Sequence, residues 1–181
     1  MNPIKTLETL LDEPAALLAA QRPEGLGRTG LLGYAAGALG FFIYLRLHSM
    51  VPPGVLSFCV MYMFWLAANF FFAAVVHMFM DMTGAGGSAS RLFLAFGCSD
   101  FLLSLLVPLA FFAKLGYINA FLALCLCFLL VIYARVRLIR RLYPVSVNKA
   151  ILAVWLPYAG LSALFFTAFI YSIAWMVWLV I

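Results

Sequence analysis

The sequence predicts an all-α, polytopic integral membrane protein whose chain crosses the bilayer five times. Three observations carry this prediction. Long apolar runs occupy almost everything after Gly30, separated only by short polar breaks. A hydrocarbon core about 30 Å thick needs roughly 20 helical residues, and the runs are of that order. Hydrophobic residues make up 67% of the 181 positions and charged ones 9%, against roughly 25% charged in an average soluble domain. The runs are continuous and do not alternate, which excludes the period-two strands of a membrane barrel.

Residues 1–28 read as an N-terminal amphipathic interfacial segment and linker, and residues 29–181 as a single five-span membrane domain. Ile4, Leu7, Leu10 and Leu11 fall at helical spacing with polar residues opposite, the pattern of a short helix lying on a membrane surface. Pro14 opens a second short apolar turn, Ala15–Ala20, before the breakers Pro23, Gly25 and Gly27 separate it from span one. Glu8, Asp12 and Glu13 stand where the apolar core of a cleavable signal peptide would lie, so span one is expected to act as an uncleaved signal-anchor.

Span one, about 30–48, carries Gly33, Gly37 and Gly40 at the spacing that lets helix backbones approach closely. That spacing serves packing inside the bundle, with homodimerisation as the alternative. Pro52-Pro53 precede span two, about 54–82. Ser88 or Ser90 is expected to cap the helix after the glycine-rich loop, and that loop lacks the Gly-Lys-[Ser/Thr] ending of a phosphate cradle. Span three, about 90–113, contains Pro108, which removes a backbone bond to Ser104 and is expected to kink the helix. Span four, about 117–138, comes after a tight turn. Span five, about 148–181, exceeds an upright crossing. Pro157 is expected to bend it, with Trp155 and Tyr158 at one interface and Trp175 and Trp178 at the other.

Basic residues set the orientation. With the N-terminus in the cytosol, Lys5, Arg22, Arg28, Arg91, Arg135, Arg137, Arg140, Arg141 and Lys149 fall inside, and only Arg46 and Lys114 outside. The C-terminus is then outside. Arg135, Arg137, Arg140, Arg141 and Lys149 form a basic apron expected to contact lipid headgroups. The basic residues border spans and form no free patch, which argues against nucleic acid as a ligand. Cys59, Cys98, Cys125 and Cys127 all lie in spans and are expected as small buried packing residues.

Ionisable groups inside a membrane are costly and therefore informative. His77 and Asp81 share one helix face near the end of span two. Asp100 lies at similar depth in span three, with Asn69 further outward on span two, roughly on the same side as His77. Three readings of this cluster stay open. His77 pairs with Asp100 structurally; or His77, Asp81 and Asp100 form a mixed site for a divalent cation; or they relay protons or guide an ion. No metal, cofactor or catalytic constellation is assigned.

The hairpin of spans two and three resembles the Yip (Ypt/Rab-interacting protein) domain family. The shared features are His77 near a helix end, the Gly86-Gly87 loop, a polar-basic stretch and a span with Pro108. Asn2-Pro3 with Pro14, and the stretch from Val145 to Pro157, resemble bacterial members. The resemblance implies a five-span membrane domain. Eukaryotic members sit in early secretory and Golgi membranes, associate with one another and bind prenylated Rab-type GTPases. GTPase binding is not carried over, because the long cytosolic N-terminal region is missing and Cys98-Ser99-Asp100 is unusually polar. The expectation is a non-enzymatic scaffold or adaptor in a bacterial inner membrane, able to form homo-oligomers or to contact other membrane proteins. The alternative is a small transporter, channel or lipid-moving protein.

Overall fold

A computed structural model describes residues 26–180 and contains no strand among them. The interfacial helix expected at the start of the chain lies outside the described residues. The elements are α1 (Leu26–Leu47), α2 (Val55–Met82), α3 (Ala89–Asp100), a 3-10 stretch (Phe101–Leu105), α4 (Leu106–Lys114), α5 (Ala120–Leu142) and α6 (Val147–Val180). α3, the 3-10 stretch and α4 form one span, which gives five helical segments long and apolar enough to cross a membrane.

Local chemistry fixes where these helices stop. α1, α2 and the α3–α4 span end alike: a residue of positive φ lets two N–H groups turn back onto orphan carbonyls. Gly84 at φ 77° does this for α2, through Ala85 N–H to Met80 O at 3.0 Å and Gly84 N–H to Asp81 O at 2.9 Å. Gly116 and Ser49 repeat the arrangement, Ser49 being the one non-glycine residue of positive φ among those described. Asn119 opens α5 by accepting from the N–H groups of Phe121 and Leu122 at 2.9 and 3.2 Å.

Two boundaries differ from the sequence reading. α1 starts at Leu26, taking in residues assigned to the linker, and α5 runs 120–142 where the expected span was 117–138. The basic end of α5 stays helical because Arg140 and Arg141 in its last turn suit the negative end of the helix dipole. Ser88 precedes α3, but its hydroxyl meets Ser90 at 2.9 Å and caps no N–H. The 3-10 stretch stands immediately before α4, where Pro108 withholds the N–H that Ser104 O would accept. α6 continues as one helix through Pro157.

The broken third span is the centre of the bundle, touching α1, α2 and α5. α1 lies along it almost without side chains between. A Cβ added at Gly33 would collide with Gly97 O, one at Gly37 with Asp100 O, and one at Gly40 with Leu103 O at 2.5 Å. The small-residue spacing is therefore used inside the chain. Tyr34 locks the contact by donating to Phe93 O at 2.6 Å. Lys149 donates to Thr83 O at one end of the bundle, at 3.2 Å, and Lys114 to Leu47 O at the other, at 3.3 Å. Arg28, Arg91, Arg137, Arg140, Arg141 and Lys149 thus gather at one end, opposite Arg46 and Lys114.

Gly33→Ala and Gly37→Ala should each lower stability by about 1–3 kcal/mol, the usual cost of overpacking. Gly27→Ala, with open space at its Cβ position, should change it by no more than about 0.5 kcal/mol. Unfolding titrations in detergent measure the difference.

Candidate functional site

Buried polarity in the bundle centres on Asp100, and α3, α2, α5 and α6 each supply part of its setting. On α5 the inward stripe is Ala123, Cys127, Val131, Arg135 and Ile139, four residues apart throughout. Arg135 therefore occupies a core position of the helix. On α2 the stripe is Asn69, Ala73, Val76 and Met80, with Trp65 one turn before it.

The Arg135 guanidinium meets Asp100 Oδ1 at 2.7 Å, the one ion pair found among the described residues. The same nitrogen makes a short hydrogen bond to the Asn69 carboxamide oxygen. Arg135 also donates to the Ser99 and Tyr158 hydroxyls, each at 3.4 Å, and lies over the Phe96 ring at 4.6 Å. Asp100 Oδ2 accepts from Trp65 Nε1 at 2.8 Å and from Asn69 Nδ2 at 3.3 Å. Asn69 also donates to Trp65 O at 3.0 Å. The Arg135 and Asp100 side chains are 5% and 0% exposed. Both carboxylate oxygens have donors, so the pair is compensated inside hydrocarbon, where a lone charge is costly.

The predicted cluster is therefore divided. Asn69 does join Asp100. His77 does not: its Nδ1 lies 2.8 Å from the Tyr143 hydroxyl. Burial, with the nearby Asp81 charge adding to it, pushes the Tyr143 phenol up to about 12. The phenol keeps its proton at neutral pH and can donate it to the His77 ring nitrogen. Tyr143 itself rests on Gly87, where a Cβ would strike its ring, and this gives the glycine-rich loop a packing role. Asp81 is exposed at the end of α2. No group of three His, Cys, Asp or Glu side chains suited to a metal forms among the described residues, so the proposed cation site from His77, Asp81 and Asp100 is not assembled.

Other assignments are corrected. Arg135 contacts no headgroup, because α5 continues past it for two further turns and carries it inside. Lys149 is tied to the end of α2, while Arg137, Arg140 and Arg141 remain exposed. Tyr158 turns inward onto Phe72 and Arg135, away from the interfacial belt. Cys98 and Cys127 are buried as expected, but Cys125 is half-buried and Cys59 exposed.

Sequence reasoning missed Trp65, Ser99 as an acceptor, and Arg135. The four-residue stripe on α5 was the signal for Arg135, hidden by its closeness to the arginine-rich end. A cleft of about 400 Å³ between α2, the third span, α5 and α6 is lined by Asn69, Asp100 and Arg135 themselves, with apolar walls of Phe64, Phe72, Phe128 and Leu161.

Comparison with models of known protein families, with curated proteins and with solved structures finds no match.

Arg135→Gln or Asp100→Asn alone should destabilise the bundle by about 3–5 kcal/mol, since each leaves an unpaired buried charge. The double variant should recover much of that loss, which a double-mutant cycle of detergent unfolding would read as strong coupling. Additive losses would contradict the pairing.

Proposed function

We propose that this chain is a non-enzymatic scaffold or adaptor embedded in a bacterial cytoplasmic membrane, with its arginine-rich end in the cytosol. One observation carries the reading: the outer part of α6, residues 161–179, is exposed at every position. α6 packs on α2 and α5 through Ala150, Ala153, Val154 and Tyr158, and then leaves the bundle. Some 19 residues of apolar helix, about 29 Å long at 1.5 Å per residue, are offered to lipid or to another membrane protein. The mutual saturation of Asp100 and Arg135 supports the same reading, because neither charge is left over for chemistry. The resemblance to Yip-domain proteins, whose eukaryotic members associate with one another, points the same way.

A second reading, a small transporter or lipid-moving protein, draws on one feature. Span three breaks into a 3-10 stretch immediately after Asp100, and discontinuous helices beside polar groups are the sites of transporters.

The two readings part in one pair of measurements. A photo-crosslinker at Leu164 or Phe169 in native membranes should trap discrete protein adducts. Ion flux and lipid scrambling in liposomes should stay at the background of empty vesicles. Flux above background that is lost in Asp100→Asn would overturn the scaffold reading.

A further inference from the structure

On the opposite side of α5 from α6, a second cleft of about 410 Å³ opens between that helix and the α3–3-10 segment. Its walls are apolar: Phe101 and Leu102 on one side, Leu130 and Tyr133 on the other. Its mouth is not. Arg137 and Arg141, one helical turn apart on the same face of α5, line it at the basic end of the bundle. From Leu130 to Arg141 the chain advances eleven residues, so the groove extends about 16 Å along the helix from the arginine end into the apolar zone.

Charge selects the occupant. Arg137 is held over the Tyr133 ring at 5.2 Å, and neither arginine has an acidic partner among the described residues. The nearest buried carboxylate, Asp100, is consumed by Arg135. Two positive groups at the membrane surface above an apolar slot call for a molecule with a negative head and a long hydrocarbon tail. Bidentate guanidinium geometry suits a phosphate in particular. The volume lies within the range of small-molecule pockets, about 300–1,000 Å³.

We propose that this cleft is a specific binding site for an anionic glycerophospholipid, with its phosphate on Arg137 and Arg141 and one acyl chain along Leu102 and Leu130. The site is narrower than the basic apron: Arg28 and Arg140 belong to the same end of the molecule but do not line the cleft. It also stands independently of the scaffold reading, since neither α6 nor the buried ion pair forms its walls.

The test uses full-length, delipidated protein titrated with phosphatidylglycerol or phosphatidylcholine and followed by native mass spectrometry. Phosphatidylglycerol should fill one site at least tenfold more tightly than phosphatidylcholine. Arg137→Gln/Arg141→Gln should weaken it roughly tenfold or more, the scale of two cationic side chains at an anionic surface. Arg28→Gln/Arg140→Gln, with the same loss of charge, should leave it within about twofold. Leu102→Trp, which fills the slot without altering charge, should also expel the lipid. Equal loss in both double variants, or equal affinity for the two lipids, would overturn the proposal. So would a photo-crosslinker replacing Leu130 in vesicles of mixed composition, if it trapped residues 1–25 or a second copy in place of phospholipid. All these positions except Leu102 are exposed, and the circular dichroism spectrum of each variant verifies its fold.

Discussion

In hydrocarbon nothing except the protein itself can compensate a carboxylate and a guanidinium, so the meeting of Asp100 with Arg135 constrains every helix around it. It brings α3 and α5 to one depth and one rotation. Trp65 and Asn69 then hold α2 in register, because the second carboxylate oxygen accepts from both. Tyr158 gives α6 its inward contact with the same guanidinium. Apolar contact cannot set such a register alone, since lipid tails match leucine nearly as well as another helix does. The polar knot specifies the arrangement; close packing consolidates it.

That consolidation falls mainly on α1, which contributes no charge to the knot. Its glycines let its backbone rest on the carbonyls of α3, so dispersion contacts accumulate along most of a span. Gly37 sits against the backbone of Asp100 itself, and the acid is therefore braced from behind while its carboxylate is held from the front. Polar pairing and close approach thus act at a single residue from opposite faces.

Much of the architecture was legible from the chain. Span number comes from run length, and the glycine contact from spacing, because both are local properties of one helix. The polar site was legible only in part. Asp100 and Asn69 stand out as polar residues in apolar runs. Arg135 does not, since it borders an arginine-rich helix end and resembles a topology signal. Whether a residue so close to such an end points inward depends on where the helix stops, and boundaries are poorly encoded in local sequence. His77 misled for a different reason: equal depth on neighbouring helices permits contact but does not fix rotation. Its true partner, Tyr143, lies beyond the end of α5, in a turn that no periodicity describes.

The grip on α6 has a mechanical corollary. A rod clamped along its first third and bare thereafter behaves as a lever, and its pivot is the last inward-facing contact. That contact is Tyr158, which touches both Phe72 and the Arg135 guanidinium. Any sideways load on the bare arm, from a neighbouring protein or from a change in bilayer thickness, is therefore delivered as torque to the most strongly bonded point of the molecule.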